Sequence, residues 1–153
     1  MVPRVKKAPL LGCVPGSVRQ AMPSFQQAVS HWQREAGVDA AHTTLIGFSQ
    51  GAIMALESTQ EPVELAHRVI AIAGRFAQAP RQAPRTATIH LLHGEQDGVI
   101  PAAQSREAAT RLHALGARVT TDFYPGLGHG VDARVAERVV ALLTPAGTSA
   151  AAA

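Results

Sequence analysis

Cysteine, aromatic residues and long apolar runs are all scarce in this sequence of 153 residues. Its one cysteine, Cys13, cannot form an internal disulfide. No apolar run approaches the roughly 18 residues that a membrane-spanning helix needs. A secretory signal needs an apolar stretch of about 7–15 residues, and the stretch 8–12 before Cys13 is shorter and contains a proline. We therefore expect no membrane span and a cytoplasmic location.

Charge and metal-binding patterns are equally weak. The chain has 14 Lys and Arg against 11 Asp and Glu, a formal net charge of +3, and its arginines are scattered. Nucleic-acid binding favours a clustered basic face with interleaved aromatic side chains, and no such cluster is present. His90 and His93 are three residues apart on a predicted strand, so they face opposite sides and cannot share a metal. We expect no nucleic-acid partner and no metal.

Apolar residues make up 46% of the chain, which is enough for a packed core. They alternate between continuous, strand-like runs and helical stripes along the sequence. The predicted strands cover 44–48, 69–73, 88–92 and 118–124. Four helices are predicted between and around these strands. The first begins at Pro23 and ends at Gly37, the second ends near Thr59, the third begins at Pro101 and ends at Gly116, and the fourth is capped by Asp132. The last helix is predicted to carry an apolar stripe of Val131, Val135, Val139 and Leu142.

Strands that alternate with helices imply a mostly parallel sheet with right-handed crossovers. We therefore predict the α/β class, with about four strands and flanking helices. The length is that of one domain, which we place at residues 17–144. An irregular arm is predicted at 1–16 and a featureless tail at 145–153.

One motif stands out at a predicted strand-to-helix junction. The strand 44–48 runs directly into Ser49, and the sequence Gly47-Phe48-Ser49-Gln50-Gly51 has the form G-x-S-x-G. This pattern is the nucleophile elbow, a sharp turn that exposes a serine hydroxyl above the sheet. Glycines flank the serine because a Cβ there would collide with the neighbouring strand or helix. We expect both Gly47 and Gly51 to allow this close approach.

A serine hydroxyl needs an adjacent base that is itself oriented by a third group. In this kind of sheet the partners follow in the order serine, acid, histidine, each after a later strand. The loop after strand 88–92 contains two carboxylates, Glu95 and Asp97. His129 lies in a glycine-rich loop after strand 118–124. Ser49, Asp97 and His129 thus predict a catalytic triad.

The chain from about residue 16 to residue 143 resembles the carboxylesterase/phospholipase branch of the α/β-hydrolases, which includes acyl-protein thioesterase-like enzymes. Within that branch it is most similar to small bacterial serine esterases. Three segments carry the resemblance: residues 45–56 around the elbow, His93-Gly94-Glu95-Gln96-Asp97-Gly98-Val99-Ile100-Pro101, and Gly128-His129. The match of the second segment favours Asp97 over Glu95 as the acid.

The resemblance implies a partial α/β-hydrolase fold that hydrolyses small-molecule esters or thioesters through an acyl-serine, without a metal or organic cofactor. By position, Ser49 is the nucleophile, Asp97 the acid and His129 the base. The backbone N–H of Gln50 is one oxyanion donor, and Val99 and Ile100 line the acyl pocket. His93 is predicted to be a structural turn residue beside the acid loop.

Members of this family begin with further strands and an H-G-x-G loop that supplies a second oxyanion donor. Only 43 residues precede the elbow strand here, and they contain no such loop. Losing one donor costs about 10²–10³-fold in rate. Three interpretations follow: an active serine esterase, a non-catalytic interaction module that retains the triad, or the carboxyl-terminal part of a longer enzyme. If the chain is as short as written, the elbow strand forms an open sheet edge, and we expect the isolated chain either to be poorly soluble or to associate through that edge.

Overall fold

A computed structural model of the protein describes residues 15–145, and within them four strands form one parallel sheet. The strands are β1 (Thr44–Phe48), β2 (Arg68–Ile72), β3 (Thr88–Gly94) and β4 (Val119–Tyr124), which are neighbours in chain order. The helices are α1 (Pro15–Ala36), α2 (Gln50–Ser58), α3 (Ala103–Ala114) and α4 (Ala133–Leu143). A short 3₁₀ turn at Ala40–His42 precedes β1. The predicted fold class is confirmed.

The core lies on both faces of the sheet. Strands β2 and β3 are buried almost throughout, as expected for strands that are covered on both sides. On one face, Leu56 of α2 and Leu112 of α3 pack with Val69, Ile89 and neighbouring residues. On the other face, side chains of α4 pack against residues near the carboxyl ends of β2 and β3. Because all the strand pairs are parallel, the carboxyl ends of the four strands lie at one rim of the sheet.

Two helix starts and one stripe residue differ from the sequence prediction. Helix α3 begins at Ala103 rather than at Pro101. Helix α1 begins at Pro15, so Pro23 lies inside the helix rather than at its start. In α1, Val18 and Met22 are buried against Ile53 of α2, and this burial offsets the interruption by proline. Val131 precedes α4 and is 52% exposed, so it does not belong to the stripe of that helix. Asp132 caps α4 as predicted, because its Oδ1 accepts a hydrogen bond from Val135 N.

The domain division remains a prediction. Of the predicted arm at 1–16, residues 1–14, including Cys13, lie outside the described residues, and the remaining two belong to α1. Of the predicted tail, only Pro145 is described. Among residues 15–145, no helix is both long enough and apolar enough to cross a bilayer.

Strand β1 is at the edge of the described sheet. It pairs with β2 on one side, and no second strand of residues 15–145 pairs with it. Ile46 and Phe48 on this strand are 49% and 43% exposed. An edge that combines unpaired backbone groups with apolar side chains is a template for pairing with another chain.

We expect this chain of 153 residues, when isolated, to associate with itself through β1. Ile46→Lys should weaken that association by about tenfold or more, because a charge on an edge strand opposes pairing. Light scattering over a dilution series checks this. Val63→Lys is a matched control, since Val63 is also exposed but lies outside the strands. A wild-type chain that stays monomeric at every concentration would contradict the prediction.

Candidate active site

Ser49 occupies a strained turn between β1 and α2. Its φ of 54° and ψ of −114° lie outside the regions that residues other than glycine usually adopt. The turn is held by the Ser49 N–H, which donates to Ile72 O of β2 at 2.9 Å, and by Ser49 O, which accepts from Ile53 N at 3.1 Å. A non-glycine residue persists in such a conformation only where its surroundings enforce it, and such residues cluster at functional sites.

The two glycines of the elbow differ in their surroundings, contrary to the prediction that both allow close approach. A Cβ on Gly47 would lie less than 3.0 Å from the backbone of Gly51 and of Ala52. A Cβ on Gly51 would meet no described atom within 4 Å. The close approach is therefore one-sided, because the strand residue faces the backbone of the helix and the helix residue faces open space.

The acid and the base lie on two loops that touch each other. Gln96 N, in the loop after β3, donates to Leu127 O in the loop after β4 at 2.9 Å. A Cβ on Gly94 would overlap the carbonyl oxygens of Leu127 and Gly128, so glycine at this position lets the two loops meet. This contact brings Asp97 and His129 to the same point on the sheet rim as Ser49.

The three predicted side chains form a continuous hydrogen-bonded chain. His129 Nε2 is 2.9 Å from Ser49 Oγ, and His129 Nδ1 is 2.8 Å from Asp97 Oδ2. Because the carboxylate only accepts, Nδ1 carries the ring hydrogen and Nε2 is free to accept the hydroxyl proton of Ser49. The ring of Phe48 contacts the ring of His129, with centroids 5.0 Å apart and an angle of 42° between the ring planes. The imidazole is therefore positioned by contacts from three sides.

Asp97 is kept ionised by its partners. Burial alone would raise the pKa of this carboxyl, but hydrogen bonds from His129 and from the backbone N–H groups of Ile100 and Val99 hold the pKa below its ordinary value. Those N–H groups are 2.9 Å and 2.8 Å from Asp97 Oδ1. The side chain is fully buried. A negative charge is thus available to orient and stabilise a protonated His129.

His93 also touches the acid, in a role that the sequence did not predict. It belongs to β3 and is fully buried, rather than lying in a turn. Its Nε2 donates to Ile100 O at 2.7 Å and lies 3.3 Å from Asp97 Oδ2, while Nδ1 accepts from Ser105 Oγ at 2.7 Å. His93 therefore ties the acid loop to the start of α3. The only feature of the sequence that could have indicated this contact is the position of His93 at the end of a buried strand, one residue before Gly94.

A cavity of about 560 Å³ opens beside the serine. Its lining residues are Phe48, Ser49, Gln50, Ile53, Arg75, Val99 and Ile100. The structure therefore brings the predicted pocket residues Val99 and Ile100 next to Ser49. Gln50 is the first residue of α2, whose N-terminus presents backbone N–H groups and a partial positive charge. Within residues 15–145, no three His, Cys, Asp or Glu side chains are grouped as metal ligands would be.

Comparison with known proteins yields a family match over most of the chain. A model of the family described as Phospholipase/Carboxylesterase matches residues 16–144. The chain is 49% identical over 113 residues to Esterase YpfH of Escherichia coli (strain K12), covering 74% of this chain and 49% of that protein. It is 27% identical over 117 residues to Acyl-protein thioesterase 1 of Gibberella zeae, covering 71% and 50%. The chain thus spans about half the length of these curated relatives.

Solved structures give the same picture. Esterase PE8 superposes with a TM-score of 0.73 at 26% identity, covering 84% of this chain and 61% of that one. The Bacillus cereus carboxylesterase superposes with a TM-score of 0.67 at 18% identity, covering 82% and 59%, which is a likeness of fold alone. The partial fold predicted from the sequence is therefore confirmed.

Proposed function

Because this chain belongs to the phospholipase/carboxylesterase family, we propose that it hydrolyses carboxylic esters or thioesters through an acyl-serine intermediate. The observation that carries the proposal is the hydrogen-bonded chain from Ser49 Oγ through His129 to Asp97, with distances of 2.9 Å and 2.8 Å. Nucleophile and base within hydrogen-bond reach, with the base oriented by a third group, are the requirements for serine catalysis.

Acylation begins when Ser49 Oγ attacks the substrate carbonyl carbon and its proton moves to His129 Nε2. Asp97 stabilises the imidazolium through Nδ1–H without itself becoming protonated. The carbonyl electrons move onto oxygen, and the N–H of Gln50 at the start of α2 stabilises that oxyanion. The intermediate collapses, the bond to the alcohol or thiol breaks, and His129 returns the proton to the leaving group. Ser49 is then esterified to the acyl group.

Deacylation repeats these steps with water. His129 Nε2 takes a proton from the water as its oxygen attacks the acyl carbon, and the oxyanion forms again beside the N–H of Gln50. Collapse breaks the bond to Ser49 Oγ, which recovers its proton from His129, and a carboxylic acid leaves. The apolar side chains of Val99 and Ile100, which line the cavity, would contact the acyl chain. These steps require no group besides the substrate, water and the residues named.

A fluorophosphonate probe tests the proposal directly, since it reacts with a serine only where a base activates the hydroxyl. We expect the probe to label Ser49, identified by peptide mass spectrometry, and heat-unfolded protein to remain unlabelled. A protein that is folded by circular dichroism but unlabelled would refute the esterase proposal. It would favour the alternative in which the chain is an interaction module that retains the triad.

Asp97→Asn should lower kcat by about 10⁴-fold, because an amide can donate to the imidazole and stabilise the wrong tautomer of His129. Initial rates with p-nitrophenyl butyrate check this. Asp39→Asn is a matched control, since Asp39 is an exposed acid that pairs with His42 away from the site. We expect the control to retain wild-type kcat. Equal rates for Asp97→Asn and wild type would remove Asp97 from the triad.

The same variant should change the stability of the protein in acid. The pKa of Asp97 is lowered from 3.8 in the folded state. A carboxyl with a lower pKa when folded stabilises the fold at pH above its unfolded pKa, and this contribution disappears as the pH falls through the folded value. The free energy of unfolding, measured in urea from about pH 7 down to about pH 2, should therefore fall more steeply in wild type than in Asp97→Asn. Parallel curves would contradict this.

A further inference from the structure

Arg75 lies at the same rim as the proposed triad, in the loop after β2, and no member of the triad comes from that loop. Strand β2 lies between β1, which leads to Ser49, and β3, which leads to Asp97. Arg75 follows β2 by three residues and lines the cavity beside Ser49. In parallel sheets, ligands bind outside the carboxyl ends of the strands. The loop after β2 is therefore placed to contact a substrate that Ser49 attacks.

The backbone on either side of Arg75 is anchored to neighbouring elements. Ala73 has a φ of 52°, and its N–H donates to Leu92 O of β3 at 2.9 Å. A Cβ on Gly74 would overlap that of Ala52, so the chain passes directly against α2. After Arg75, the N–H groups of Ala77 and Gln78 donate to Glu57 Oε1 of α2 at 2.6 Å and 3.3 Å. Arg75 thus projects from a rigid segment.

Most of the residues that line the cavity together with Arg75 are apolar. Phe48, Ile53, Val99 and Ile100 are apolar, and Arg75 is the one charged residue among the described residues that line the cavity. The guanidinium Nη1 of Arg75 donates to Phe76 O at 3.1 Å. A positive charge in an apolar cavity attracts an anion more strongly than it would in water. Arginine in particular forms strong, bidentate hydrogen bonds with carboxylates.

We propose that Arg75 binds a carboxylate on the substrate, so that the preferred substrates are esters or thioesters that carry a second, free carboxylate. This inference rests on the proposed function for the reaction, but it concerns binding and can be tested without turnover. The carboxylate can belong to the acyl group, as in a half-ester of a dicarboxylic acid, or to the leaving group. Both sources present the same anion to the guanidinium.

Equilibrium binding to the full chain with Ser49→Ala tests the proposal in the absence of turnover. The anionic acyl probe is the p-nitrophenyl half-ester of glutaric acid, and p-nitrophenyl pentanoate is its neutral counterpart. A carboxy-substituted nitrophenyl butyrate places the anion on the leaving group instead. We expect at least one anionic probe to bind tenfold or more tightly than its neutral counterpart, about the gain expected of one charge-assisted hydrogen bond. The probe that shows the gain identifies the source.

Arg75→Met, added to the Ser49→Ala chain, should remove this preference and leave binding of the neutral probe within about threefold. Arg75→Lys should restore part of the preference for the anionic probe, because lysine keeps the positive charge but lacks the planar guanidinium that forms two parallel hydrogen bonds. Arg81→Met is the matched control, since Arg81 is exposed on the same connection and does not line the cavity. If Arg75→Met does not fold, the test uses the Ser49→Ala chain alone. That chain should then prefer the anionic probe over the neutral one at low salt and lose that preference at high salt.

Equal binding of anionic and neutral probes, or an equal loss of both in Arg75→Met, would overturn this inference. Neither result would bear on the esterase proposal, which depends on fluorophosphonate labelling of Ser49. Conversely, unlabelled Ser49 together with a preference that depends on Arg75 would leave a carboxylate-binding cavity without the hydrolysis.

Discussion

Replacing Ser49 by alanine should lower the turnover of p-nitrophenyl esters by a factor on the order of 10⁶. The variant lacks the oxygen that attacks the carbonyl, so His129 and Asp97 have no hydroxyl to activate. The residual rate comes only from binding and from the N–H of Gln50. The factor is obtained from the rates of nitrophenolate release by wild type and by the variant, measured by stopped flow and each corrected for the rate in buffer.

Ser24→Ala is the matched control, because Ser24 is exposed on α1 and the same atom is removed there. We expect it to retain wild-type turnover. The free energy of unfolding of Ser49→Ala should stay within about 1 kcal/mol of the wild-type value, because alanine keeps the strained backbone conformation and loses only one hydrogen bond. Turnover that persists in Ser49→Ala at the wild-type rate would exclude Ser49 as the nucleophile and leave the hydrogen-bonded chain without a catalytic role.

The second large effect concerns the elbow itself. Gly47→Ala should lower the free energy of unfolding by about 3 kcal/mol or more, because its Cβ would overlap the backbone of Gly51 and Ala52. Backbone atoms cannot rotate away as a side chain can, so β1 and α2 must separate. Urea denaturation monitored by circular dichroism measures the loss. Activity should fall as well, since the shift displaces Ser49 from His129.

Gly51→Ala tests the same argument with the opposite sign. Gly51 lies in α2, and an added Cβ meets no described atom within 4 Å. Alanine is favoured over glycine in a helix by up to about 1 kcal/mol, so this variant should be as stable as wild type or more so. Equal destabilisation by the two substitutions would show that the motif needs both glycines for space, as the sequence alone suggested.

The loop between β2 and β3 could be predicted only in part from its sequence. Prolines at 80 and 84 indicate a connection rather than an element, and the structure has no helix or strand between Ile72 and Thr88. That the loop is anchored could not be predicted. Three side chains from α2 and the segment that follows it accept hydrogen bonds from backbone N–H groups of this loop: Glu57, Gln60 and Glu64. In each pair the two residues are about twenty positions apart in the sequence. Such pairings depend on which segments meet, and no local pattern encodes them.

The sequence by itself determined the fold class, the four strands, the elbow and the order in which serine, acid and histidine follow strand ends. These features depend on local periodicity, on turn-forming residues and on the rule that parallel strands end at one rim. Tertiary structure alone decided where α1 starts, that only one elbow glycine is crowded, that His93 contacts Asp97 and that Arg75 lines the cavity. Each of these depends on distances between residues far apart in the chain, which packing sets and a linear pattern does not contain.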